Sequence, residues 1–336
     1  MNEKENGLKR LFLHIGQPKT ATTSIQNFLA VNREQLIKKG WLYPNAARQY
    51  AAHHLLGNFF RAQPIHWIGS ADPSAVMQEL MHEIEETGCD NIIMSTESLY
   101  FAENHARFRD YFKAFDVSVV VFLRRQDEWL ESAYQENLKN GETRLDPERY
   151  LAAHAGSLDY AARLKTWADV FGKEKILVHS FESTAEKQPI EKICMDLMGA
   201  PFTADLTMPP AKNERLNRDC TTFLTMFHAS PRVDMKHQVI KDLLIKYSQA
   251  HPDPAELRYA YHPLRRREIV ESRAEMNAIV AREYLGREDG VLFRNPLPDG
   301  DTPWQPYPGL RVRTSVSISE FLCNALYKMG ERAGRG

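Results

Sequence analysis

The sequence predicts an α/β protein, a three-layer α/β/α arrangement with a central parallel sheet covered by helices. Two observations carry that expectation. Largely apolar runs at 11–15, 91–95, 117–123 and 175–181 have the pattern of strands buried on both faces. Stretches with apolar residues at helical spacing alternate with them along the chain, as parallel β-α-β connectivity requires.

Leu11-Phe12-Leu13-His14-Ile15 is a short buried strand ended by Gly16 and Pro18. A helix follows at once: Ile25, Phe28, Leu29, Leu36 and Ile37 recur at helical spacing, and Lys38-Lys39-Gly40 is a C-terminal stop. The span 76–86 reads as a helix leading into the strand 91–95. After the strand 117–123 and the pair Arg124-Arg125, residues 127–139 carry Leu130, Ala133, Tyr134 and Leu138 on one helical face, with Gly141 beyond. Helix 158–171, strand 175–181 and helix 190–198 continue the alternation. Past Pro209 the pattern turns mainly helical, over 219–250 and 263–285. Residues 295–308 hold five prolines and read as an irregular connection, before an amphipathic helix over 317–329.

Composition bounds the function. The 336 residues are 43% hydrophobic and 26% charged, ordinary for a globular chain with a sizeable core. A net charge of -1 removes any global case for a nucleic-acid binder, while leaving room for a local anion pocket. The charged first ten residues lack a signal-peptide apolar core and no run spans a bilayer, so the reading is a cytoplasmic protein with no transmembrane segment. Cys89, Cys194, Cys220 and Cys323 form no C-x-x-C pair and read as four buried thiols, with no metal site.

In open α/β sheets a ligand sits beyond the carboxyl ends of the strands, where loops lead into helix amino ends. The first such loop is Gln17-Pro18-Lys19-Thr20-Ala21-Thr22-Thr23-Ser24. It places one cation and four hydroxyls at a helix start, where unpaired amides and the helix dipole already favour an anion such as phosphate. Alone, Thr22 or Thr23 would read as a simple helix cap. The G-x-x-x-x-G-K-[ST] spacing is absent, which disfavours a standard ATPase or GTPase.

Pro18-Lys19-Thr20-Ala21-Thr22-Thr23 resembles the P-K-x-G-T-T loop with which sulfotransferases hold the 5′-phosphosulfate of 3′-phosphoadenosine 5′-phosphosulfate (PAPS), with Ala21 in place of the usual glycine. The strand 119–123 ending in Arg124, with Ser132 eight residues further on, resembles the same family's 3′-phosphate clamp; Arg125 is the nearby alternative. The resemblance covers most of residues 8–200. It implies a P-loop-NTPase-like sulfotransferase fold, with a domain over 8–294 comprising a nucleotide-binding core 8–200 and a helical extension 209–294, then residues 295–336 as an irregular segment and final helix. It implies PAPS as donor, no metal, Lys19 at the leaving oxygen, and loop residues 19–24 with Arg124 and Ser132 on the nucleotide. Tyr160 is a candidate for stacking on adenine, although packing of its helix explains it equally.

An acceptor hydroxyl needs a general base near the sulfate, for which the sequence offers Glu97, just past the 91–95 strand, and His54 of the His53-His54 pair. Glu97 ranks slightly ahead. Tyr134 and Lys139 follow Ser132 and could face the acceptor, yet a tyrosine at helical spacing reads more simply as core, and Arg265-Arg266-Arg267 reads as a solvated helix face. The expected partner is a glycan or small-molecule acceptor. A divergent kinase or glycosyltransferase is the rival enzyme, with Asp299-Gly300-Asp301 as a weak metal motif; a non-catalytic nucleotide-binding module is the other.

Overall fold

A computed structural model describes residues 8–65, 67–182, 187–210, 215–229 and 237–333. Among these, 8–125, 157–210 and 273–295 make one compact unit, and 126–156, 215–272 and 296–333 a second.

The first unit is built on five parallel strands: β1 (Lys9–His14), β2 (Trp41–Leu42), β3 (Asn91–Ser95), β4 (Phe115–Arg124) and β5 (Ile176–Phe181), in the order β2-β3-β1-β4-β5. β1 is central, with Phe12 opposite Ile93 on one side and Ser118 on the other. Its residues divide between two cores because successive side chains point to opposite faces. Leu11, Leu13, Val119 and Val121 pack against helices Pro73–Thr87, His105–Tyr111, Tyr160–Phe171 and Ala274–Leu285. Phe12, Val120 and Phe122 pack against α1 (Thr22–Val31), Arg33–Ile37 and Ile190–Met198. The three-layer α/β/α arrangement read from the sequence is the one observed. The fourth helix on the first face, Ala274–Leu285, comes from the span read as a helical extension; its buried Val280 and Ala281 seal that face. β2 has no counterpart in the sequence reading: two residues carry no measurable periodicity, and its pairing of Trp41 with Asn91 and Leu42 with Ile92 is long-range.

Strand order reverses at β1, whose neighbours β3 and β4 are joined to it from opposite directions. The carboxyl ends of β1 and β4 therefore form the crevice in which α/β proteins place ligands. The loop 15–21 and Arg124 both sit at that edge.

The second unit is helical. Asn217 caps Arg218–His228 through the Cys220 amide at 2.7 Å, and that helix, His237–Ala250 and Val312–Ala333 share a core of Leu224, Leu244, Ile318 and Leu322. Three expectations are corrected here. The 219–250 pattern is two helices, with residues 230–236 outside the described set. Cys323 is exposed, because it lies on the outward side of the last helix. Arg265-Arg266-Arg267 is not one solvated face: Arg266 is buried, pairs with Asp127 at 2.7 Å and lies 3.6 Å from the Tyr259 ring centre, while Arg265 pairs with Glu148 at the surface. A buried guanidinium needs such partners, and residue type alone does not reveal them.

Candidate active site

The loop after β1 is shaped by its backbone. Gly16 has φ +39°, and a side chain there would meet Thr22 Cγ2 at 2.5 Å and His14 Nε2 at 3.2 Å, so only glycine fits without a shift. Lys19 and Ala21 are left-handed, at φ 73° and 60°, on either side of Thr20. Alternation of hand of this kind turns successive amides toward one side of the chain. The positive φ at Ala21 is the reason glycine suits that position.

Two side chains hold the loop in place. Gln17 Oε1 accepts the Arg124 amide at 2.9 Å, and the Gln17 carbonyl accepts the Thr20 hydroxyl at 2.6 Å. From the other side Arg124 Nη1 donates to the Lys19 carbonyl at 3.2 Å. Arg124 is thus joined to the loop by backbone and side chain, and its own carbonyl accepts the Tyr160 hydroxyl at 2.7 Å. Tyr160 is fully buried in the core, with no ring face left for adenine, so its candidacy as a stacking residue is corrected to a brace for Arg124.

At the amino end of α1, Ala21 provides no side-chain cap, whereas Asp72, Asp146 and Asp159 each cap the helix that follows them. The Ser24 amide donates to the Ala21 carbonyl at 3.0 Å, which leaves the Thr22 and Thr23 amides for an external acceptor. Thr22 is buried and Thr23 exposed at that end. The Ser24 hydroxyl, proposed for the phosphate, donates to Glu191 instead. Beneath the loop, Gln17 Nε2 and His14 Nε2 are buried polar atoms with no partner among the described residues. Buried polar groups are nearly always satisfied, so these two atoms are exceptions in and next to the loop, among several such atoms in the described residues.

One turn along α1 from Thr22, about 6 Å of helix rise, Gln26 Nε2 donates to Glu97 Oε2 at 2.7 Å. Glu97 follows β3 and is half-buried. Next to it, His54 Nδ1 lies 3.1 Å from Thr96 Oγ1, which in turn is 2.6 Å from Ser98 Oγ. Burial holds the His54 ring below the ordinary histidine range, and the Glu97 charge pushes it back up. The two candidate bases are electrostatic neighbours. His53 is a different case: Nδ1 accepts the Ser95 amide and Nε2–H donates to the Pro44 carbonyl, both at 3.1 Å, which fixes one neutral tautomer and a structural role.

His14 and His53 share a consequence. Burial lowers His14 to about 4 and His53 to about 3, from 6.5. A depressed folded pKa gives stability that is present above the unfolded pKa and lost as pH falls toward the folded one. Unfolding free energy is expected to drop below about pH 6.5, by roughly 2 kcal/mol per ring at about pH 5. Urea titrations between those limits should show a shallower pH dependence in His53→Gln; an unchanged slope would remove that ring as a source.

The first unit thus brings together residues 17–24, Arg124, Glu97 and His54. Ser132 belongs to the second unit, half-buried in the helix Gln126–Lys139. There the Tyr134 hydroxyl donates to the Leu145 carbonyl at 3.0 Å and Lys139 pairs with Glu136 at 2.8 Å. In the first unit Arg125 is buried and donates to the Asn295 carbonyl at 3.2 Å. Asp299 of the Asp-Gly-Asp triplet accepts the Asp301 amide and the Thr302 hydroxyl, a turn made by its own side chain. His14, Gln26 and Thr96 were not singled out from the sequence, and Gln17 entered only as the first residue of the loop. Gln26 alone left a signal, standing four residues after Thr22 on one face of α1.

No protein-family model matches the chain, and no curated protein does. Among solved structures, it is similar to a sulfotransferase from Alicyclobacillus acidocaldarius, at 19% identity and a TM-score of 0.43 over 61% of this chain and 87% of that one. It is also similar to the sulfotransferase domain from the curacin biosynthetic pathway, at 12% identity and a TM-score of 0.38 over 79% of this chain and 97% of that one.

Proposed function

We propose that the chain is a sulfotransferase that uses PAPS to sulfate an acceptor hydroxyl. The observation that carries this reading is the loop: a Pro-Lys-x-x-Thr-Thr sequence at the uncapped amino end of α1, at the carboxyl edge of the central strand. Gln17 Nε2, a buried donor of the same loop with no partner among the described residues, is consistent with an anionic ligand.

When bound, PAPS supplies the sulfuryl group. The amides and hydroxyls of Thr22 and Thr23 hold the 5′-phosphate, and Lys19 stabilises the charge that grows on the leaving oxygen. Arg124 is read as the ligand of the 3′-phosphate, with Ser132 as the partner the family resemblance gives it. Glu97, aimed by Gln26, takes the proton from the attacking hydroxyl as the new oxygen–sulfur bond forms and the bond to the phosphate oxygen breaks. His54 stands beside Glu97 as the second base candidate. The acceptor is a glycan or small-molecule hydroxyl.

Calorimetric titration with 3′-phosphoadenosine 5′-phosphate, AMP and ATP tests the nucleotide assignment. The expected result is binding that depends on the 3′-phosphate and needs no divalent metal. Preference for ATP with metal would overturn it in favour of a kinase.

A further inference from the structure

Two exposed aromatic side chains, Tyr50 and Trp67, lie on segments that join the chain around His54, and one has a backbone conformation against its preference. Residues 49–52 form a two-residue turn closed by a Gln49–Ala52 bridge, with the Gln49 amide donating to the Ala52 carbonyl at 2.8 Å. Tyr50 is its first central residue, at φ 59° and 87% exposed. Glycine is the usual residue at such a position, and a bulky side chain with positive φ is a genuine outlier. An exposed tyrosine gains little folding energy there, so an outlier of this kind points to function.

The turn is fixed to the site. Gln49 Nε2 donates to the Trp67 carbonyl at 3.1 Å, and Gln49 Oε1 accepts the Gly69 amide at 2.8 Å. Trp67 is 48% exposed and meets the His54 ring edge-on, centroids 5.1 Å apart. His53, next in chain, is bound through its amide to the Ser95 carbonyl at the end of β3 at 2.8 Å. One side chain, Gln49, therefore ties both aromatic segments together beside His54 and Glu97.

We propose that Tyr50 and Trp67 form an open aromatic platform that seats a saccharide acceptor beside His54 and Glu97. This rests on the sulfotransferase reading and specifies its acceptor class. Openness decides between acceptors. A phenol or other flat apolar acceptor needs a pocket that buries most of its surface. A sugar needs only one ring face covered: its C–H face stacks on indole or phenol while its hydroxyls stay wet or reach polar groups. The exposed rings of Tyr50 and Trp67 supply the stacking face, and His54, in edge contact with Trp67, supplies a polar group.

The test uses the full chain on an array of cellohexaose, chitohexaose and maltohexaose, with 2-naphthol as arene control, each with and without 3′-phosphoadenosine 5′-phosphate. At least one oligosaccharide is expected to bind, and to weaken tenfold or more in both Tyr50→Gly and Trp67→Ala, while Trp67→Phe keeps most of its affinity. Tyr50→Gly suits the turn backbone, so its folding is not in question. No oligosaccharide binding by wild type, or unchanged affinity in Tyr50→Gly, overturns the platform. Loss of nucleotide binding alone would count against the sulfotransferase reading instead, since saccharide retention is also read without nucleotide.

Discussion

Lys19→Ala is expected to lower kcat by about 10³-fold while weakening 3′-phosphoadenosine 5′-phosphate binding by no more than about tenfold. The asymmetry follows from where charge appears. In the proposed ground state the amides of α1 and Arg124 share the nucleotide's charge. The negative charge that develops on the leaving oxygen is new to the transition state, and Lys19 is the loop's one cation. The variant leaves the loop's other attachments intact, because Arg124 grips the backbone carbonyl of residue 19 and Gln17 holds the Arg124 amide. Single-turnover rates with nucleotide titration check it. A wild-type rate in the alanine variant would remove Lys19 from the leaving-oxygen role.

Glu97→Gln is expected to reduce kcat by about 10³-fold with nucleotide affinity preserved, and His54→Asn by about tenfold, since a positioned general base contributes roughly 10²–10⁴. Glu97 ranks first because Gln26 aims it from α1, the helix whose amino end is assigned to the phosphate. The reverse ranking of the two losses would make His54 the base. Their coupling gives an independent readout. Glu97 raises the His54 pKa against the lowering effect of burial. Removing the charge should therefore shift the His54 NMR titration to lower pH, and an unmoved titration would mean the two groups do not share a site.

How much of this was legible in the sequence depended on whether the information was local. β1, α1 and β4 were readable because unbroken apolar runs and helical spacing are properties of neighbouring residues. The loop was readable because a lysine and four hydroxyls crowd into one helix start. The braces were not. Gln17 reaches Arg124 and Gln26 reaches Glu97 across the sheet edge, and a lone glutamine carries no pattern that tells of its partner. Tyr160 was open between stacking on adenine and packing of its helix, and its buried ring and its bond to the Arg124 carbonyl decide for packing, as a brace. Ser24 looked like part of the hydroxyl cluster until the distant Glu191 claimed it. Trp67 and Tyr50 gave no signal, since exposure and backbone hand are not written in residue order.

The central place of β1 has a consequence for the newly made chain. The strand leaves the ribosome before both of its hydrogen-bonding partners, Asn91–Ser95 on one side and Phe115–Arg124 on the other. At translation rates of about 5–20 residues per second, Leu11, Phe12 and Leu13 wait roughly 5 to 20 s with both edges unpaired. Until Arg124 emerges, the loop after β1 also lacks the backbone amide that Gln17 grips and the guanidinium that holds residue 19. A loop translated ahead of the strands that shape it is thus late to take its form, and in the interval it hangs on an apolar strand with open edges, where a holding chaperone would find it.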